Sequence, residues 1–344
     1  MHGHRSRGFL SAWTAFFFLL VTIAAPAHAG PLEDAEAAHE RGDDDAAIRL
    51  IRPLAEQGNA IAEFDLGMMY DSGLGVPQDH AEAAQWYRRA AEKGYAEAQV
   101  SLGARYHSGQ GVSQDDGEAL KWYRLAASQG HAGAQYNIGF AFANGLGVPQ
   151  NFAEAMKWLR LAADQGFVYA QNSIGFMYDK GQGVEQNFAE AAKWYRLAAE
   201  RGFGDAQNNL GFMYDKGKGV EQNYKEAVKW YRLAATQDSA KAKLNLGLLY
   251  YDGRGVAQDY AEAVEWFQLA ADQGDRAAQN NLGLMYAQGQ GVPQNHVLAH
   301  QWFSLSAMQG NQDAAANLKA VETHMSAREI GEAENLRREW KPKR

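Results

Sequence analysis

One stretch of the chain, residues 167–202, decides the fold; it reads FVYAQNSIGFMYDKGQGVEQNFAEAAKWYRLAAERG. In its first half, Ala170, Ile174 and Tyr178 recur every four residues, which is the spacing of one face of an α-helix. The second half repeats an i, i+3, i+4, i+7 pattern that predicts a second helix. The residues that this second helix is predicted to bury are Ala191, Trp194, Tyr195 and Ala198.

Residues that commonly end or begin helices lie between the two patterns and support this division. Gly181 follows the first apolar pattern and is suited to the left-handed conformation that ends a helix. Asn187 opens the second pattern, and Glu190 follows three residues later. This spacing predicts a reciprocal cap, in which each side chain accepts a hydrogen bond from the backbone N–H of the other residue.

The same 36-residue unit occurs seven times in succession without an insertion. Seven of the nine tryptophans stand 36 residues apart, and each copy contains a Gly-x-Gly-Val loop. The predicted units are 59–94, 95–130, 131–166, 167–202, 203–238, 239–274 and 275–310. A closing glycine ends every unit except one, which ends at Asp238. Strict repetition of a two-helix unit is typical of solenoid proteins.

An all-α fold follows, because one helix pair cannot cover its own apolar face and must stack on its neighbours. We predict an α/α right-handed superhelical solenoid of stacked helix pairs. Gly175 and its six equivalents lie inside the first helices, where glycine lowers helix stability, and so predict close helix packing. Residues 30–58 are predicted to be a degenerate N-terminal capping repeat, and residues 311–344 to form C-terminal capping helices and a solvated basic tail.

The residues that recur at fixed positions of the seven units resemble those of the Sel-1-like repeat (SLR) family, which is related to the tetratricopeptide repeat. The resemblance is carried by Ala206-x3-Leu210-Gly211-x2-Tyr214, by Gly217-x-Gly219-Val220 and by Ala227-x2-Trp230-Tyr231. It implies a helical scaffold that binds proteins or peptides. Known members act in bacterial host interaction, in envelope and exopolysaccharide regulation and in eukaryotic quality control.

A cysteine-rich subgroup of that family is linked to penicillin binding and β-lactamase activity. This sequence contains no cysteine, which also excludes disulfides, thiolate metal sites and a cysteine nucleophile. A β-lactamase-like or cell-wall-active enzyme is therefore the less favoured alternative.

The first 29 residues look like a secretory signal. Arg5 and Arg7 precede an apolar stretch over residues 9–25, and Ala27-His28-Ala29 has the small-x-small form of a cleavage site. Cleavage after Ala29 would place the protein in a bacterial periplasm or outside the cell. The alternative is an uncleaved membrane anchor. The net charge of −8 would become −10 on cleavage, and an acidic chain is a poor partner for nucleic acid.

Candidate catalytic groups are few, and we predict no catalytic, cofactor or metal site. His296 and His300 lie one helical turn apart but have no obvious third ligand. The Gly-x-Gly-Val loops lack the preceding strand and the third glycine of a dinucleotide site.

The predicted binding surface lies on the first helices, which commonly line the concave side of such stacks. Residues opposite the core arc form three rows across the copies, and their side chains could contact an extended peptide. The rows contain Tyr136, Asn172, Asn208 and Asn280; Phe140, Phe176, Phe212 and Leu248; and Asp179 and Asp215. The alternative is that these residues pack or bridge within the scaffold. The favoured function is an exported, non-enzymatic scaffold, and the alternative is an envelope or exopolysaccharide regulator or host-interaction factor that uses the same surface. The sequence leaves the oligomeric state open.

Overall fold

The computed structural model of the chain describes residues 30–343, which form 18 α-helices and, within that range, no β-strand. The predicted signal segment, residues 1–29, lies outside the described residues. The predicted all-α class is confirmed.

Each predicted unit contributes a first and a second helix. The first helices are α3 (Ala60–Ser72), α5 (Ala96–Ser108), α7 (Ala132–Asn144), α9 (Val168–Lys180), α11 (Gly204–Lys216), α13 (Ala240–Asp252) and α15 (Arg276–Gln288). The second helices are α4 (His80–Glu92), α6 (Asp116–Ser128), α8 (Phe152–Asp164), α10 (Phe188–Glu200), α12 (Tyr224–Thr236), α14 (Tyr260–Asp272) and α16 (His296–Met308). The terminal helices are α1 (Pro31–Glu40), α2 (Asp44–Glu56), α17 (Gln312–Glu322) and α18 (Ala327–Glu339).

The helices begin where the sequence predicts, but the predicted reciprocal cap is wrong. Asn187 caps α10, because its side chain accepts from the backbone N–H of Glu190 at 3.0 Å. The N–H of Asn187 donates instead to the carbonyl of Tyr178 at 3.0 Å. That loop hydrogen bond leaves the Glu190 carboxylate free to pair with Lys193 at 2.5 Å. The complete reciprocal cap occurs in α18, between Ser326 and Glu329.

The glycine inside each first helix permits close packing, as predicted. A Cβ atom built on Gly175 would lie 2.7 Å from the ring of Tyr195 in α10. The same contact recurs between Gly211 and Tyr231 at 2.8 Å and between Gly247 and Phe267, where the ring leaves still less room. In six of the seven pairs an aromatic ring of the second helix therefore lies directly on the backbone of the first helix, and in the third repeat Leu159 takes that place.

The tryptophan column has a different role from the predicted one. Tyr195 is buried within its helix pair, but Trp194 is only half-buried. Trp194 packs against the cluster that α8 and α9 form around Ala170 and Ile174. The tryptophans thus pack between neighbouring helix pairs. The residue after each tryptophan packs between the two helices of its own pair.

By its internal contacts the described part of the chain divides into two compact units, one that ends at Ala90 and one that begins at Ala91. In the first, α1 to α3 and most of α4 surround a core that includes Ile48, Ile51, Leu66 and Trp86. In the second, helix pairs stack in chain order, each second helix packing on the next first helix. This stacking of α/α pairs is the solenoid arrangement that the sequence predicts.

The C-terminal end closes the second unit in a way that differs from a repeat. Helix α18 packs against α16. Residues 341–343 are exposed, as expected for a solvated tail, but Lys343 is also bound to α14. Its backbone N–H donates to the carbonyl of Asp272 at 2.8 Å, and its Nζ lies 2.7 Å from the Asp272 carboxylate. Trp340 anchors the segment, because its ring meets Trp302 edge-on at 6.2 Å.

Candidate protein-binding surface

The apolar row of the first helices contains two exposed phenylalanines. Phe176 in α9 is 45% exposed and Phe212 in α11 is 38% exposed. Phe140 and Leu248, which occupy the same helical position in α7 and α13, are half-buried. The row is therefore most accessible in the fourth and fifth repeats. The exposure of Phe176 and Phe212 differs from that of residues packed in the core.

The asparagine row takes part in a ladder between repeats. The Asn172 Oδ1 atom accepts from Asn209 Nδ2 of the next repeat at 3.1 Å, and Asn208 Oδ1 accepts from Asn245 Nδ2 at 3.3 Å. Asn280 is bound in the same way by Asn317 at 3.0 Å. The side-chain oxygen of each of these three asparagines thus accepts a hydrogen bond from the following repeat or, for Asn280, from α17.

The acidic row is held by neighbouring cations. The Asp179 carboxylate lies 2.6 Å from Lys180 Nζ. Asp215 is buried, and its carboxylate contacts Lys216 at 2.8 Å and Arg254 at 3.3 Å. Burial raises the pKa of the nearby Tyr231 hydroxyl, and the Asp215 charge raises it further, so this hydroxyl stays protonated.

Two lysines lie against the exposed phenylalanines. Lys180 Nζ is 5.6 Å from the ring centroid of Phe176, and Lys218 Nζ is 5.5 Å from that of Phe212. Lys218 also lies 5.2 Å from the ring of Phe188. Cation–π contacts of this length orient the ammonium groups over the apolar row. The surface therefore presents aromatic rings beside positive charge.

An aromatic cluster extends this surface into the third repeat. Tyr136 meets Phe140 at 6.3 Å and Phe167 at 5.3 Å between ring centroids. Tyr169 joins it, at 4.7 Å from Phe203. Burial raises the pKa of the Tyr136 hydroxyl, while its hydrogen bond to Ser173 acts in the opposite direction. The cluster is continuous across α7, α9 and the start of α11.

Sequence reasoning missed Phe167 and Phe203, although a signal was present. Both occupy the N-cap position of a first helix, where Asn59, Ser239 and Asp275 provide a capping oxygen in other repeats. Neither phenylalanine makes a side-chain cap. A capping residue is worth about 1 kcal/mol, so its replacement by an aromatic residue indicates a different role at these two positions.

The two histidines considered as metal ligands face different neighbours. The His296 ring lies 5.6 Å from that of His324, whereas the buried His300 places Nε2 3.2 Å from a Glu322 carboxylate oxygen. Among residues 30–343, no group of three or more His, Cys, Asp or Glu side chains is arranged to hold a metal ion.

Comparison with known proteins identifies the repeat. The sequence model of the Sel1 repeat matches seven consecutive segments: 60–95, 96–131, 132–167, 168–203, 204–239, 240–275 and 276–311. The chain belongs to the Sel1 repeat family. No curated protein sequence matches it.

Solved structures agree with this assignment. A Sel1 repeat protein from Oxalobacter formigenes is 34% identical with a TM-score of 0.64, over 71% of this chain and 97% of that one. A protective antigen of uropathogenic Escherichia coli strains, which displays an SLR fold, is 30% identical with a TM-score of 0.53, over 90% and 91% of the two chains. Yeast Tom70 shares the fold alone, with 14% identity and a TM-score of 0.50 over 94% of this chain and 70% of that one.

The Sel1 repeat solenoid is typical of protein–protein interaction scaffolds, and proteins of this family are generally non-catalytic. Protein partners are therefore the class that the fold suggests. Within residues 30–343 no helix has the length and apolar character needed to cross a membrane.

Proposed function

We propose that this Sel1 repeat protein is an exported scaffold without enzymatic activity, which binds a protein or peptide along the first helices of its third to seventh repeats. The contact residues would be nine of the ten predicted from the sequence, with Phe176 and Phe212 at the centre; the tenth, Asp215, is buried and would hold Lys216 and Arg254 in place. Nucleic acid is not the partner in this proposal, because the chain is acidic overall.

The exposure of Phe176 and Phe212 carries this proposal. Large aromatic side chains supply much of the binding energy in protein interfaces, and contiguous exposed apolar surface often marks such a site. Here the two rings lie one repeat apart, beside an aromatic cluster and under two lysine side chains. An extended segment with apolar side chains at matching intervals would contact several repeats at once.

The double variant Phe176→Ala/Phe212→Ala tests the proposal. Both side chains are partly in solvent, so we expect the helical content and melting temperature to stay close to those of the parent chain. Mature protein would be immobilised and exposed to an envelope extract, and bound proteins would be identified by mass spectrometry. We expect the partner retained by the parent chain to be lost by the variant.

A matched control uses exposed leucines of the second helices. Leu161→Ala/Leu197→Ala removes a similar apolar area from another face and should retain the partner. Equal capture by both double variants would show that the first-helix surface is not the binding site. A large loss of stability in the phenylalanine variant would show that these residues belong to the core.

A host-interaction role is the second candidate, and one observation favours it. The uropathogenic Escherichia coli relative is described as a protective antigen, and the similarity extends over 90% of this chain. If this chain acts at the cell surface, antibodies raised against it will label intact cells. Labelling only after permeabilisation would favour a periplasmic scaffold or an envelope or exopolysaccharide regulator.

Export and the absence of catalysis have direct tests. Mass spectrometry of the protein recovered from its native host should give a chain that begins at Gly30, whereas an intact N-terminus would indicate an anchor. Purified protein should not hydrolyse a chromogenic β-lactam. Hydrolysis of the β-lactam would instead support the enzymatic alternative.

A further inference from the structure

A second surface, on the second helices, carries one exposed leucine in each of five repeats. These leucines occupy the same helical position and are between 40% and 49% exposed: Leu125, Leu161, Leu197, Leu233 and Leu269. The seventh repeat has Leu305 at this position, and it is only 8% exposed. The leucine at this repeat position is therefore exposed in five repeats and buried in the seventh.

The chain's own C-terminal segment covers Leu305. Trp340 packs on the cluster that contains Trp302 and Leu305. Its ring also lies over Gly274, with an outer ring carbon 3.8 Å from the place where a Cβ of that glycine would be. Three residues later, Lys343 binds Asp272 through its backbone and its ammonium group. The covering segment thus uses one aromatic ring and one lysine.

The docking position for this segment has four parts: an acid that ends one second helix, the glycine two residues on, and the tryptophan and leucine of the next second helix. In the fifth repeat these are Glu200, Gly202, Trp230 and Leu233. The space above Gly202 is open to at least 4 Å, and within residues 30–343 the exposed Glu200 carboxylate has no ion-pair partner. All four parts are present: the acid, the glycine and the leucine are uncovered, whereas Trp230 is buried, as Trp302 is, with Lys229 Nζ 5.3 Å from its ring.

A second uncovered position has the same composition. It consists of Glu92, Gly94, Trp122 and Leu125, again with open space above the glycine.

The remaining repeats of this unit lack a part or are covered. The third repeat has Ser128 in place of the acid, and the sixth has Thr236 and Asp238 in place of the acid and glycine. In the fourth repeat the Arg201 side chain lies over Gly166 and donates to its carbonyl at 2.7 Å. The complete positions are therefore those of the second and fifth repeats.

We propose that these two positions bind an extended segment of a partner protein in which an aromatic residue is followed three residues later by a lysine. The ring rests on the glycine and leucine, and the lysine pairs with the glutamate. The contact is the one that Trp340 and Lys343 make at the end of the same unit. It involves the second helices and is independent of the first-helix surface of the proposed function.

A peptide with the sequence of residues 335–343, fluorescently labelled, provides the probe. Titrated with the full mature chain, whose own tail fills the seventh position, it should bind, and the same peptide with alanine in place of tryptophan should not. The variant Leu125→Ser/Leu233→Ser should weaken binding on the order of tenfold or more. Glu92→Gln/Glu200→Gln should weaken it mainly at low salt, where an exposed ion pair contributes most.

The matched control is Leu161→Ser/Leu269→Ser, because those leucines belong to positions without the acid. We expect it to bind the peptide as the parent chain does, and Phe176→Ala/Phe212→Ala should do the same. Failure of the first-helix proposal would thus leave this result unchanged.

Four outcomes would overturn the inference. The full chain could fail to bind the peptide, or bind it only after residues 340–344 are deleted, which would limit recognition to the seventh position. The control pair of leucines could matter as much as the test pair. Finally, the chain could self-associate and be dissociated by the peptide, which would assign the positions to the tail of a second copy.

Discussion

Asp65 is a half-buried residue with a carboxyl group in α3 of the first unit. Burial raises its pKa to about 6, and the charge of Glu36 contributes in the same direction. Because the folded-state pKa is above the unfolded value near 4, folding favours the protonated form. The stability from this group is fully present below about pH 4 and is lost as the pH rises through 6.

We therefore expect Asp65→Asn to stabilise the first unit at pH 7.5 by about 2 kcal/mol, since a shift of two pKa units corresponds to at most about 3 kcal/mol. The substitution should also remove most of the change in stability between pH 4 and 7. Urea unfolding followed by circular dichroism at both pH values measures this. Glu40→Gln, at an exposed position of α1, is the control and should change stability little. A variant less stable than the parent at pH 7.5 would contradict the expectation.

Asp238 and Lys243 both depart from the residue pattern of the repeat, and the two side chains form an ion pair with each other. Every unit but the fifth ends in a glycine, and every other repeat but the first, which has Glu63, carries a buried glutamine where the sixth has Lys243. Gln207, for example, bonds to the preceding helix and to the next repeat. In the sixth repeat a buried lysine replaces that glutamine, and the Asp238 carboxylate pairs with it. Asp238 adopts φ +66°, the left-handed region that favours glycine.

Restoring the glycine alone should therefore destabilise the protein. Asp238→Gly relieves about 0.5–1 kcal/mol of backbone strain but leaves a buried ammonium group without its anion, which costs about 1–3 kcal/mol. Asp238→Gly/Lys243→Gln restores the pattern of the other repeats and should be at least as stable as the parent chain. A double-mutant cycle in denaturant gives the coupling energy. A coupling near zero would mean that the two exceptions are unrelated.

At the scale of the helix pair, the glycine of the first helix and the ring of the second form the central contact. Gly175→Ala would place a methyl group 2.7 Å from the Tyr195 ring, so the helices must separate. We expect a loss of about 1–3 kcal/mol, although alanine favours a helix.

The matched control for Gly175→Ala is Gly331→Ala in α18, where a Cβ has no neighbour within 4 Å. There the same substitution should stabilise the protein by up to about 1 kcal/mol. Thermal melting of both variants gives the comparison. Stabilisation by both would show that the helix pair can absorb the methyl group.

At the scale of the whole molecule, stability in a stack of repeats depends on neighbours, so the end matters most. Trp340 covers Trp302 and Leu305 at the end of the second unit. Trp340→Ala should therefore increase hydrogen exchange in α16, with a local loss of about 1–3 kcal/mol, while α6 exchanges as before. Lys319→Ala, at an exposed position of α17, is the control and should leave exchange in α16 unchanged. Uniform acceleration in both helices would show that the segment does not act locally.

Much of the fold could be predicted because it is local and repeated. The 36-residue spacing of Trp194 and its equivalents located the helix pairs, and Asn187 and Gly181 marked their limits. The candidate surface was predicted less completely. Helical periodicity placed Phe176 and Phe212 away from the core, but it gave no measure of their exposure, and it missed Phe167 and Phe203 because an N-cap position lies outside the periodic pattern.

The sequence by itself determined the α/α repeat and its family, because apolar periodicity, caps and glycines act over a few residues and recur seven times. Only the tertiary structure decided which equivalent positions are exposed, since exposure depends on what another part of the chain places over them. Leu233 and Leu305 occupy the same position in the repeat, and only Leu305 lies in a helix against which α18 and Trp340 pack.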